Sequence, residues 1–136
     1  MKSDIAEKIG EWVEKKLNLP FLVYMDLIPD PECDAACLRH DPSPAAEKRF
    51  IDGTRLVSWN FTFFIRCKNA GNARMYAKLI IDKIDGQTIG DEDGEENAMY
   101  VEAVTLAQYI DTDAKGYTTY STSIKCTYLE QHDGNP

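Results

Sequence analysis

Between Val57 and Cys67 every odd-numbered residue is apolar: Val57, Trp59, Phe61, Phe63, Ile65 and Cys67. Ser58, Asn60, Thr62 and Arg66 lie at alternate positions between them. A period of two sustained this long specifies a β-strand with one face committed to a core and the other turned to water or a partner. The rest of the chain must supply apolar cover for the odd-numbered face.

Two segments can do so. In residues 4–18, Ile5, Ile9, Trp12, Val13 and Leu17 recur at helical spacing, and Asp4 with Glu7 forms an acidic variant of a capping box. Leu19-Pro20 stops this helix, because the residue before proline is pushed out of the helical region. A second helix is expected over 73–84, capped by Asn69 or Asn72, with Tyr76, Leu79, Ile80 and Ile84 on one stripe. Its other side carries Arg74, Lys78 and Lys83, which with Arg66 and Lys68 form a local basic patch and read first as a solvated helix face.

The remaining strands are expected at 21–25, 55–68, 99–110 and 117–130, the last two joined as a hairpin through Asp111-Thr112-Asp113-Ala114-Lys115-Gly116. Residues 28–53 contain Pro29, Asp30, Pro31, Asp41, Pro42, Ser43, Pro44, Asp52 and Gly53 and read as a long irregular excursion, with a brief extended piece near 35–40. The acidic run ending in residues 91–97 reads as a loop. The expected fold is α+β: a single domain over residues 1–130 with an antiparallel or mixed sheet, two amphipathic helices on one face, and a flexible tail at 131–136. The face with Ser58, Asn60 and Thr62 is left available.

A chain of 136 residues is long enough to bury a core without metal or disulfide staples. Its net charge of -8 argues against a general nucleic-acid grip, which needs clustered Lys and Arg. No apolar run approaches membrane-spanning length, and the charges in MKSDIAEKIGEW interrupt any signal-peptide core, so the protein is expected in the cytoplasm when made. Cys33, Cys37, Cys67 and Cys126 are irregularly spaced and read as reduced thiols, with Cys67 and Cys126 as small core hydrophobes.

Nothing in the chain specifies catalysis. Nucleophile elbows, phosphate loops and dinucleotide fingerprints are all missing. Asp111-x-Asp113-x-x-Gly116 and Asp91-x-Asp93-Gly94 echo the start of a calcium loop but lack its ligand series, and tight turns demand the same residues. Cys33, Cys37 and His40 make half a zinc site at most. No catalytic, cofactor-binding or metal-ligating residue is therefore assigned.

Ala36-Cys37-Leu38-Arg39, Asp41-Pro42-Ser43-Pro44, Arg49-Phe50-Ile51-Asp52-Gly53, Trp59-Asn60-Phe61, Ile65-Arg66-Cys67-Lys68-Asn69, the run from Tyr109 to Gly116, Tyr120 and Tyr128-Leu129-Glu130 follow one another in an order that resembles the minor capsid or tail-terminator proteins of long-tailed phages. This resemblance implies a non-enzymatic virion protein, assembled in the bacterial host cytoplasm and needing no cofactor. It would form a homo-oligomeric ring, typically hexameric, at the head-proximal end of the tail tube, stopping tube growth and docking to the head connector. DNA would pass through an acidic lumen without specific binding, and no membrane is involved. A tail-tube or tail-completion protein is the alternative, and a small metal-binding regulator or enzyme a more distant one. Because opposite charges fall in separate elements, the expected subunit contact sets Asp91, Glu92, Asp93 and the hairpin tip, with Asp111, Asp113 and Lys115, against Arg66, Lys68, Arg74 and Lys78 of a neighbour.

Overall fold

The computed structural model describes residues 5–28, 33–43, 48–91 and 94–131. In chain order the elements are α1 (Ile5–Leu17), β1 (Val23–Met25), β2 (Ala35–His40), β3 (Lys48–Arg49), β4 (Thr54–Cys67), α2 (Ala70–Ile84), β5 (Thr88–Asp91), β6 (Gly94–Thr112) and β7 (Thr118–Gln131). Among the described residues they form an α+β domain with two helices and one curled, seven-stranded sheet ordered β1-β2-β4-β7-β6-β5, with β3 paired to β4 off this path. The sheet is mixed because β1 runs parallel to β2, while every other pairing is antiparallel.

The alternating strand sits where its pattern requires. All of β4 is in register with β7, from Thr54 opposite Gln131 to Cys67 opposite Thr118. Its second edge is taken by β2 along Phe61 to Arg66 and by β3 at Arg55 and Leu56. Between these, the Asp41 amide donates to the Asn60 carbonyl (2.8 Å) and the Asn60 amide donates to Ser43 Oγ (2.9 Å), so the backbone of β4 stays satisfied across the gap.

One core gathers Val57, Phe61, Phe63, Ile65 and Cys67 of β4 with Ile5, Ile9 and Val13 of α1, Ala73, Ala77, Ile80, Ile81 and Ile84 of α2, and Met99, Val101, Ile124 and Cys126 of β6 and β7. Trp59 is half-buried at its margin, stacked on the exposed His40 at 4.3 Å between ring centres. The buried stripe of α2 is turned from the one expected. Tyr76 and Leu79 lie at its sides, and the small residues Ala73 and Ala77 lie at its centre, where they let the helix come close to the sheet. A similar close approach occurs at Gly10 of α1, where a Cβ would stand 2.9 Å from Met25 Cε. Burial pushes the Cys67 and Cys126 thiols up to about 12, so both remain protonated packing groups.

Local capping explains where the helices stop and start. Asn18, at φ 49°, takes the left-handed conformation that closes α1 before Leu19-Pro20 is reached. Asn69 caps α2, its side chain accepting from the Asn72 amide at 3.1 Å, so the helix begins three residues before the expected Ala73. Asp4, expected to cap α1, lies outside the described residues.

Three features depart from the sequence reading. First, the acidic run is not a loop: β5 and the start of β6 form a hairpin there, with Asp91 opposite Gly94. Second, the excursion holds β3 in addition to the extended piece expected near 35–40, which is β2. Third, the polar face of β4 is not simply open. Ser58 and Thr62 are 1% and 9% exposed, with Ser58 bonded to Thr127 (3.1 Å) and Thr62 to both Ser123 (2.9 Å) and Asp41 Oδ2 (2.6 Å). Small hydroxyls bury readily on a sheet when they satisfy one another across strands. At the other end, Gln131 closes β7, and residues 132–136 of the expected tail lie outside the described residues.

Candidate functional site

Of the ten charged residues expected at a subunit contact, the eight that are described fall on different parts of the fold. Arg66 and Lys68 leave the end of β4 beside the β6–β7 turn of the same chain. The Arg66 guanidinium donates twice to the Cys33 carbonyl, from Nε at 3.1 Å and Nη2 at 3.0 Å, and lies 5.5 Å from the centre of the Tyr117 ring. Lys68 holds Asp34 through its backbone amide at 2.9 Å, donates from Nζ to the Lys115 carbonyl, and places Nζ 5.1 Å from the same ring. Tyr117 therefore has two cations against it, a favourable arrangement with the aromatic quadrupole.

Asp113 organises that turn. Its Oδ1 accepts from the amides of Lys115 and Tyr117, both at 2.9 Å, while its backbone bonds Tyr117 and Gly116, the latter at φ 90°. The Tyr117 amide above all, with those of Lys115 and Gly116 and the nearby charge of Arg66, holds the Asp113 carboxyl below the usual carboxylate range. An oxygen committed to two amides is a turn ligand, which is the reading preferred over calcium. Asp111 stands exposed on β6 opposite Thr119. Four of the expected interface residues, Arg66, Lys68, Asp113 and Lys115, thus meet within one chain, where they fix the hairpin tip.

The others lie elsewhere. Arg74 and Lys78 are on the exposed side of α2, with Lys78 bonded to Asp82 one turn on at 2.5 Å. Asp91 ends β5, and Glu92 and Asp93 lie outside the described residues. As for the partial zinc motif, Cys37 is buried, with its thiol donating to the Asp26 carbonyl at 3.9 Å, whereas Cys33 and His40 are exposed. Cys37 and His40 are three residues apart in an extended strand and so point to opposite faces. Among the described residues no group of three or more His, Cys, Asp or Glu side chains could hold a metal ion. No helix among them is long and apolar enough to cross a membrane.

Two apolar surfaces were missed. On β6, Val104, Leu106, Tyr109 and Ile110 are all exposed, and β5 runs beside this strand only as far as Tyr100. On the β3–β4 turn, Phe50 and Ile51 stand out from the surface, Ile51 with no cover at all. That turn is closed by its own hydrogen bonds: the Phe50 amide donates to the Thr54 carbonyl (2.9 Å), Asp52 Oδ1 accepts from the Thr54 amide (3.0 Å) and hydroxyl (2.7 Å), and Gly53 sits at φ 94°. The chain thus displays apolar side chains on well-built strands and turns, as proteins do where they meet other proteins.

Residues 2–130 match the model of a family described as bacteriophage tail terminator protein. The chain belongs to this family. The match spans every strand and helix except the last residue of β7, so the whole fold carries it. Among curated proteins nothing matches the chain. As a tail terminator family member it is a structural protein of phage tails, a virion component that works with other tail and head proteins. In such a family the chemistry of interest is contact between proteins, and the exposed apolar groups of the β6 strand and the β3–β4 turn become the residues to explain.

Proposed function

We propose that this chain forms a closed ring, typically of six copies, that caps the head-proximal end of the tail tube, stops its growth and offers a docking surface to the head connector. The family match over residues 2–130 carries this reading. Its support in the fold is a compact sheet with exposed apolar groups on two separate surfaces, since a contact between unlike patches repeats head to tail and closes when the rotation between copies allows it. A net charge of -8 suits a ring through which DNA passes without adhering. The ring needs no cofactor and no catalytic residue.

The test is assembly in the infected cell. Phage particles made without this chain should carry tails of uncontrolled length that lack heads, and supplying the chain should restore a fixed length, both read by negative-stain microscopy. Tails of normal length in its absence would sink the proposal, and extended tubes formed by the purified chain alone would replace it with a tail-tube role.

A further inference from the structure

We propose that the ring contact is made by the β3–β4 turn of one copy, through Phe50 and Ile51 flanked by Lys48 and Arg49, against the exposed stretch Val104, Leu106, Tyr109 and Ile110 on β6 of the next. This inference rests on the ring reading above and specifies its interface.

Three observations select a second copy as the occupant. The first is charge. From Ile84 to Ala114 the sequence contains no Lys, Arg or His, and the exposed Glu102 and Asp111 bracket the apolar residues of β6. Lys48 and Arg49, both exposed, immediately precede Phe50 and Ile51 on the opposite surface. Asp52, which follows them, turns its carboxylate to the Thr54 amide and hydroxyl. On β6, Glu102 has Lys125 opposite it and Asp111 has Thr119. An apolar knob with a basic collar and an apolar strip with acidic ends are complementary, and each carries the sign that would repel its own kind.

The second is topology. β3 pairs with β4 on the edge away from β7, and β6 lies beyond β7, so the two surfaces flank the β4–β7 pair on opposite sides. A chain cannot bring them together within itself. The third is their offset along the strands. Thr105 lies opposite Ser123, which lies opposite Thr62, whereas Arg49 lies opposite Arg55. At about 3.3 Å per residue this is a stagger of roughly 20 Å, which a closed ring accommodates when the offset lies across the ring axis and not along it.

The contact is made by side chains and not by simple extension of the sheet. Between Ala103 and Asp111 the β6–β7 register shifts three times, and such bulges twist an edge strand away from an even ladder. The charged rim then sets orientation and on-rate, while the apolar groups supply most of the affinity.

The test uses the whole chain with the exposed Cys33 changed to Ser. Ile51→Cys and Leu106→Cys are made separately, mixed under conditions in which the wild type assembles, and treated with a short bismaleimide. Linked dimers should appear in the mixture and not with either variant alone. In addition, K48E with R49E should raise the concentration for half-assembly about tenfold or more at low salt, and E102K with D111K in a second chain mixed with it should restore assembly. Linked dimers from Ile51→Cys alone would show a two-fold contact and overturn the proposal. So would wild-type-like assembly of the K48E/R49E chain, with the ring reading left standing. A wild type that stays monomeric even in the presence of tail tubes would overturn both.

Discussion

β4 and the outer part of β6 belong to one sheet, separated only by β7, yet the fold treats them in opposite ways. β4 is paired along both edges, packs its odd residues into the core and buries even its hydroxyls on the other face. Beyond Ala103, β6 has β7 on one side and no strand among the described residues on the other, and residues 104–112 are exposed apart from the half-buried Ala107. Both sequences are rich in strand-forming residues. Burial differs because β4 faces helices and the outer part of β6 runs past them, which separates residues that build the monomer from residues available to build an assembly.

The largest effect should come from testing that separation directly. Phe61 is 1% exposed and Leu106 is 73% exposed. Phe61→Ala is expected to lower unfolding stability by about 3–5 kcal/mol in denaturant titration, through lost burial and the cavity left behind. Leu106→Ala should change it by no more than about 0.5 kcal/mol. Equal losses would mean that the β6 surface belongs to the monomer's core after all.

A smaller contrast concerns polar groups. Asp41→Ala removes the acceptor of the buried Thr62 hydroxyl and should cost about 1–2 kcal/mol in the same measurement. Tyr109→Phe removes an exposed bond to Thr112 of 3.0 Å and should cost less than about 0.5 kcal/mol. If Asp41→Ala is neutral, the segment around Asp41 does not seal the polar face of β4.

The smallest expected effect is at the hairpin tip. Because the native Asp113 carboxyl is held below its ordinary value, its contribution is present at neutral pH and above the unfolded value near 4. It is lost as pH falls through the lower native value. Between pH 6 and 3 the melting temperature of the wild type should therefore fall slightly more steeply than that of Asp113→Asn. Parallel curves would show that the carboxylate does not matter to the turn.

Much of this architecture was legible in the sequence because period and caps act locally. β4, β7, the extended piece that becomes β2 and both helices follow from spacing, Asn and Pro signals. The β3 strand was not legible, since two residues carry no period and Lys48–Arg49 is a strand only because Leu56 and Arg55 lie beside it. β5 was missed for a related reason: of Thr88 to Gly90 only Ile89 reaches the core, and acidic residues around it look like a loop until β6 supplies a partner. The site was harder still. Opposite charges in separate elements suggested contact between subunits, and within the chain the full pairing of β4 with β7 already brings Arg66 and Lys68 to Tyr117 and Lys115. Register of that kind depends on distant pairing and cannot be read from local pattern.

The pairing of β4 with β7 also dictates a schedule. Arg55 meets Glu130 in an ion pair spanning 75 positions, and all of β4 is matched to a strand that a ribosome makes some fifty residues after it. During synthesis, Phe61, Phe63 and Ile65 wait with one edge of their strand unclaimed, a sticky intermediate when many copies are being translated at once. The core closes only after residues 118–131 emerge, and chains that have not yet reached β7 are where a host chaperone has most to do.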